Sequence, residues 1–251
     1  MDARPGVFAG TNFEGNLHMR ALRRLIIVLV VLFGLFAAAD RIAVYVAEGQ
    51  AASALQKSRG MSQKPSVSIE GFPFLTQLLS GSMDQVKVHA NDLTVTTPNG
   101  TDVTLQDFSA DLKGVRLENG FTQAVADNAT GTASISYADL STALPKGVTV
   151  AYGGNGKVKV AGSASLPILG EQQVSGTAAL NVVGGDSIAL SGITGITGVD
   201  PAVAGLVTSV LEPQFQLSGL PTGLKLTQIT AEPTGVSVAV AGTGVVLNSS
   251  Q

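Results

Sequence analysis

Residues 86–91 are Val-Lys-Val-His-Ala-Asn, and this alternation decides the fold class. Apolar and polar side chains follow one another at every position, which is typical of a half-buried β-strand with one face in water. Residues 102–106 repeat the pattern, and the apolar positions then change parity at Phe108, which predicts a β-bulge near Asp107. Between residues 174 and 183 both parities are mostly small or apolar, so both faces of that strand are expected to meet apolar material.

Turn signals separate these strands at hairpin spacing. Asn99-Gly100, Asn119-Gly120 and Asn155-Gly156 are typical of tight hairpins, because such turns need positive φ at both central residues. Gly184-Gly185-Asp186 has the same character. We therefore predict an α+β, β-rich fold in which a strongly curved antiparallel sheet, a half-barrel, surrounds one or two helices.

Three helical segments are expected after the N-terminal region. The first continues from Asp40 to about Lys57, and the second is a short helix, Phe74–Leu79, between a proline and a glycine. The third is Asp200–Leu211, which has an aspartate N-cap followed by proline at the first helical position. One face of this third helix carries Val203, Leu206, Val207 and Val210. That face is expected to pack on the sheet.

The N-terminal region is typical of an export segment. Three cations, Arg20, Arg23 and Arg24, directly precede the apolar run Leu25–Ala39. Such a cluster stays in the cytoplasm, so the chain after the run is predicted to be translocated. The run is short for a membrane span and ends in small residues, as a cleaved signal does. The apolar pattern resumes at Ile42–Ala47, as an uncleaved anchor helix would. Both alternatives stay open at this point.

These features divide the chain into three parts. Residues 1–18 are polar and are expected to be disordered or untranslated, since Met19 offers an alternative start. Residues 19–59 form the signal or anchor helix with its extension, and residues 60–251 form the exported domain.

Composition removes several classes of function. The chain has no cysteine, so it can form neither disulfides nor cysteine metal sites, and its net charge of −3 argues against a nucleic-acid partner. His18 and His89 are not in metal-ligand spacing, and no G-x-S-x-G elbow occurs. We expect no enzyme activity, no metal and no cofactor.

Two segments resemble a known family. Residues 71–81 are GFPFLTQLLSG, and residues 220–226 are LPTGLKL, followed by AEPTGVSVAV at 231–240. With the Asp40-Arg41 pair after the apolar run, their order and spacing resemble the LmeA-like phospholipid-binding family of actinobacteria, from about Leu22 to Leu247. The resemblance implies an exported or membrane-tethered cell-envelope protein that binds phospholipids, phosphoinositides among them. A mycobacterial member is tied to mannan elongation in lipoglycan synthesis.

The residues themselves support a lipid-binding half-barrel. Small side chains leave room where bulky core residues would otherwise fill the interior, and sites of this kind are concave and mostly apolar. We expect a lipid entrance at Phe72, Phe74, Leu75, Leu78 and Leu79. The groove wall is expected at Leu220, Leu224 and Leu226, together with the apolar face of the third helix. Head-group contacts to anionic phospholipid are expected from Lys87, Arg116 and Lys225.

Two other functional classes fit the same composition. One is a structural or adhesin-like envelope domain without a lipid ligand, for which small, glycine-rich strands are equally suitable. The other is a mannan-acting enzyme, which needs convergent carboxylates. Asp102, Asp107 and Asp111 are more typical of scattered surface acids.

Overall fold

A computed structural model describes residues 15–96, 100–144, 147–166, 170–200, 214–216 and 220–248. The predicted β-rich, antiparallel α+β class is confirmed. The helices are α1 (Gly15–Ser58), α2 (Phe74–Ser80) and α3 (Tyr137–Ala143), with one 3₁₀ turn at Asn119–Phe121. The strands are β1 (Ser66–Glu70), β2 (Ser82–Thr96), β3 (Asp102–Glu118), β4 (Gln123–Ser136), β5 (Thr149–Gly154), β6 (Lys157–Leu166), β7 (Gly170–Val183), β8 (Ser187–Thr197), β9 (Gln214–Gln216), β10 (Thr222–Glu232) and β11 (Gly235–Asn248).

Within the described part of the chain, the strands form two sheets instead of the single sheet expected, and neither closes into a barrel. The larger sheet has the order β1-β2-β3-β4-β11-β10, and the smaller one has the order β5-β6-β7-β8-β9. The chain leaves the larger sheet after β4, through α3, and returns to it at the end, where β11 pairs with β4. Alternation predicts that a segment is a strand but not which strand it pairs with, so the sequence did not indicate this insertion.

The larger sheet has one polar and one apolar face across all six strands. The central apolar rows, in the order of the strands, are Val67, Val88, Ala110, Gly131, Val240 and Leu226, and beside them Ile69, Val86, Leu112, Ala129, Gly242 and Leu224. The matching polar rows are Ser66, His89, Ser109, Thr132, Ala239 and Gln228, and Ser68, Lys87, Asp111, Thr130, Ala241 and Lys225. This is the two-faced pattern that an antiparallel sheet with one solvated face produces.

Irregular positions in β3 change which parity faces the apolar side. Asp107 has φ 49 and lies where the register between β3 and β4 shifts, which confirms the predicted bulge. Gly114 has φ 61, a left-handed conformation that favours glycine, and a Cβ there would also meet the Asp127 side chain. Beyond it the buried residue is Val115, on the opposite parity from Leu112. Bulges and left-handed residues of this kind bend a strand and increase sheet twist.

The two sheets share a hydrophobic core. Val158 of β6 and Val236 of β11 are almost completely buried in one cluster, although they belong to different sheets. The sheets also join through the backbone, where Leu226 N–H donates to Gly185 O at 2.7 Å. Tyr137 of α3 packs against this core and donates its hydroxyl to Glu232 O at 2.7 Å, and burial raises the pKa of that phenol.

Several of the turns and helix ends predicted from the sequence are present. Asn155 and Gly156 have φ 52 and 70 between β5 and β6, as the hairpin prediction requires. Helix α2 begins after Pro73 and ends at Gly81, whose φ is 66, in agreement with the sequence. Helix α3 was missed, although Ser136 accepts from Asp139 N–H as an N-cap does. The predicted helix Asp200–Leu211, with its four apolar residues, lies almost entirely outside the described residues.

The shared core predicts that a truncation in one sheet destabilises the whole domain. Val158→Ala removes two buried methyl groups and should lower the free energy of unfolding by about 2 kcal/mol. Val183→Ala, in the same sheet, is the control, because Val183 is 41% exposed and its loss should change stability by less than about 0.5 kcal/mol. Urea unfolding in mild detergent, followed by circular dichroism, should show one transition that Val236→Ala also shifts. Two separate transitions, with Val158→Ala shifting one and Val236→Ala the other, would contradict the shared core.

Candidate functional site

Helix α1 joins an exposed apolar segment to the folded domain without a break. It runs from Gly15 to Ser58, and an 18-residue window within Met19–Ser58 reaches a mean hydropathy of 2.4. The large apolar side chains from Leu25 to Leu35 are each more than half exposed. By length and composition this helix is able to cross a membrane, and it fits a signal or an anchor equally.

The second half of α1 belongs to the domain. Asp40, Val44 and Ala52 are buried along one stripe of the helix, at the four-residue spacing of a packed face. Between them, Glu48 Oε1 accepts from the Ile69 N–H of β1 at 2.7 Å. Helix α1 therefore covers the free edge of β1, where an unpaired strand would otherwise expose its backbone.

Asp40 fixes α2 to α1. Its side chain is completely buried, and Oδ1 accepts from Leu75 N–H at 2.8 Å. Helix α2 has no cap of its own, since the N-cap residue is Pro73, which makes no side-chain hydrogen bond. The Asp40 carboxylate satisfies one of the free N–H groups there, and its negative charge is favourable at a helix N-terminus.

Arg41 completes this junction. Its Nη2 donates to Asp40 Oδ2 at 2.7 Å and to Gly71 O at 3.2 Å, so the buried carboxylate has a cationic partner. The guanidinium also lies over the Phe72 ring, 5.3 Å from the centroid, within the range of a cation–π contact. The side chain of Arg41 remains 53% exposed, which leaves part of the guanidinium open to solvent.

The five entrance candidates divide into buried and exposed residues. Phe74 is 2% exposed and Leu75 is half-buried, so these two hold α2 in place. Phe72, Leu78 and Leu79 are 50%, 37% and 88% exposed, and we call these three residues the α2 tip.

The groove-wall candidates lie at the edge of the apolar face. Leu224 and Leu226 end the two central apolar rows, Leu226 is buried, and Leu224 and Leu220 are half-buried. In the middle of that face, among the described residues, Val88, Ala110, Gly131 and Val240 are half-buried, whereas Ala129 is buried. Val203, Leu206, Val207 and Val210 lie outside the described residues.

The three head-group candidates are not brought together. Lys87 Nζ donates to Glu70 at 2.6 Å, and this hydrogen bond raises the pKa of Lys87. Arg116 pairs with Asp127. Lys225 lies in the same polar row as Lys87, but four strands away, which corresponds to about 19 Å. Each cation is therefore a separate surface feature, and two of them already have carboxylate partners.

Sequence reasoning assigned no site role to Asp40 and Arg41. The available signal was a charged pair placed directly after an apolar run, where a charge has to be either solvated or paired. Among the residues that the structure describes, no three histidine, aspartate or glutamate side chains cluster as metal ligands do.

Comparison with known proteins assigns the chain to a family. No curated protein and no solved structure matches it significantly. The model of the LmeA-like phospholipid-binding family matches residues 38–241, a span that includes the Asp40 junction, α2 and nearly all of both sheets. The chain belongs to the LmeA-like phospholipid-binding family.

Proposed function

We propose that this protein binds phospholipid non-enzymatically, with the acyl chains against the apolar face of the larger sheet. The observation that supports this is one row of half-buried apolar positions, Val88, Ala110, Gly131 and Val240, between the buried edge residues Val67 and Leu226. A row of partly exposed apolar positions is typical of a binding surface when it is continuous over several strands. Family membership supports phospholipid as the class of ligand.

The side chains in the centre of the face suit an acyl chain. Ala110 and Gly131 are neighbours on β3 and β4 and leave a shallow floor between the larger valines. Each methylene buried there contributes about 0.8 kcal/mol, so a chain of which about ten methylenes are covered gains several kcal/mol after ordering costs. Entry is proposed past the α2 tip, at the end of the domain that adjoins the apolar half of α1.

The proposal also covers the membrane anchor, the location of the protein, the lipid ligand and its use. Residues 19–59 act as an export segment that remains as an anchor, residues 60–251 form an exported domain, and the protein works in the periplasm or cell envelope. An anionic lipid, a phosphoinositide among the candidates, is proposed as the ligand. Lys225 lies on the polar face, but on the edge strand β10, and it is proposed to reach the head group around that edge. Support of lipoglycan assembly, as in the mycobacterial member, is the proposed use of that lipid.

The alternative is a structural envelope domain without a lipid ligand. Family membership favours the lipid binder, and lipid analysis of the purified chain separates the two.

A charge on the apolar face should abolish lipid capture. In Ala110→Glu the carboxylate points at the surface where the acyl chain is proposed to lie, and burying it there costs several kcal/mol unless it is paired. Ser109→Glu is the matched control, because it places the same charge on the solvated face of the same strand. Mass spectrometry of lipid extracted from the purified chain should find phospholipid in the wild type and in Ser109→Glu, and much less in Ala110→Glu.

Circular dichroism and a thermal melt show whether Ala110→Glu remains folded. Equal lipid in the two folded variants would place the acyl chains elsewhere. A wild-type chain that carries no lipid would support the structural alternative.

Export and orientation should depend on the arginines before the apolar run. A reporter enzyme that is active only outside the cytoplasm, fused after Gln251, should be active in the wild type. Replacing Arg20, Arg23 and Arg24 with glutamate should reduce this activity several-fold at equal expression. The same change at Lys57, Arg59 and Lys64 is the control, since these cations follow the apolar run. Unchanged activity of the N-terminal variant would contradict the proposed topology.

A further inference from the structure

We propose that the α2 tip (Phe72, Leu78 and Leu79) inserts into the surface of the same phospholipid bilayer that α1 enters, with Arg41 at the level of the phosphates. This inference rests on the anchored state in the proposed function. It adds a second membrane contact, made by the domain itself.

The α2 tip has a fixed position along α1. The hydrogen bond from Leu75 N–H to Asp40 places the start of α2 beside the first residue after the apolar run. Leu79 follows Leu75 by about one helical turn, or roughly 6 Å of rise. Because α1 is one continuous helix, the α2 tip is held at a fixed distance from the end of the apolar segment.

The level of the bilayer surface along α1 follows from the length of the apolar run. The 15 residues from Leu25 to Ala39 rise about 22 Å, whereas a hydrocarbon core is roughly 30 Å thick. A short span is accommodated by local thinning and by drawing flanking residues into the interface. The next turns of α1 suit this, since Ile42 and Tyr45 are 66% and 77% exposed, and tyrosine favours the interface. The interface therefore reaches the level of Asp40 to Tyr45, which is also the level at which α2 is attached.

The α2 tip is apolar, exposed and uncharged. Beyond α1, the exposed large apolar residues of the described domain are Phe72, Leu78, Leu79, Tyr152 and Val183. Three of these five lie in the α2 tip, and α2 itself carries no charged residue. An uncharged helix with exposed leucines beside a membrane helix fits an interfacial contact. Arg41 lies at the same place, with the exposed part of its guanidinium available to a phosphate.

Together the two contacts would restrain the domain at the membrane. The anchor sets its distance from the bilayer, and the α2 tip sets its orientation, so lipid is taken from the anchoring membrane instead of from a distant one. A second copy of this chain is the competing occupant of the α2 tip, and the experiment separates the two.

The absence of cysteine allows a clean test in the full chain. Leu79→Cys, labelled with the environment-sensitive fluorophore NBD, is reconstituted into phosphatidylcholine–phosphatidylglycerol vesicles that contain spin-labelled lipids. Thr132→Cys, an exposed position on the polar face of β4, is the matched control. We expect a blue-shifted emission and several-fold stronger quenching at position 79 than at position 132. Equal quenching at both positions would overturn the inference.

Two further experiments identify what causes the quenching at position 79. In an Ala110→Glu background, which is expected to carry no lipid, quenching at position 79 should persist. Its disappearance there would mean that captured lipid, and not the bilayer, was the quencher. Reconstitution at a lower protein-to-lipid ratio, with the same spin-label fraction, should leave the blue shift unchanged, and a shift that falls with protein density would assign the α2 tip to a second copy. Lipid bound by a chain whose position 79 is not quenched would refute insertion and leave the proposed function standing.

Discussion

The buried carboxylate of Asp40 is the interaction on which the arrangement of this protein depends. It lies at the point where α1 changes from an exposed apolar helix to a packed one, and it accepts a hydrogen bond from the start of α2. A buried charge of this kind is tolerated only when it is paired and hydrogen-bonded, and Arg41 and Leu75 provide both conditions. Removing the carboxylate would leave α2 without its cap and Arg41 without its carboxylate partner.

The larger sheet and then the smaller sheet follow from this junction. Glu48, two turns further along α1, binds the backbone of β1, and β1 begins the six-stranded sheet. The smaller sheet closes the other end, through the core around Val158 and Val236 and the backbone contact at Gly185. Among the described residues, the apolar face of the larger sheet is buried at Val67 and Leu226 on its two edges and half-buried along the row between them. Family membership supports phospholipid as the class of ligand, and this face is the site proposed for it.

The sequence predicted those features that depend on local chemistry. The alternation at 86–91, the bulge at Asp107, the Asn155-Gly156 turn and the bounds of α2 are all found where the residues indicated them. These features follow from side-chain period and from φ preferences, which act over a few residues. The division into two sheets was missed because strand partners are set by contacts far apart in the sequence.

The candidate site was predictable in part for the same reason. Phe72, Leu78 and Leu79 are all exposed, and they lie in, or two residues before, one short helix. Lys87 and Lys225 were expected to serve one head group, but the register places them about 19 Å apart on the polar face. The roles of Asp40 and Arg41 depend on a contact that spans 35 residues, from Asp40 to Leu75, and no local pattern reveals such a contact.

The central claim is that acyl chains lie on the apolar face of the larger sheet, and photo-crosslinking tests it most directly. The chain would be reconstituted with a phospholipid that carries a photoreactive group near the end of one acyl chain, irradiated, digested and mapped by mass spectrometry. The account predicts adducts on residues between Val86 and Leu112 and between Val238 and Gly242, in addition to those on the apolar half of α1. Adducts confined to α1, with none on β2, β3 or β11, would contradict it.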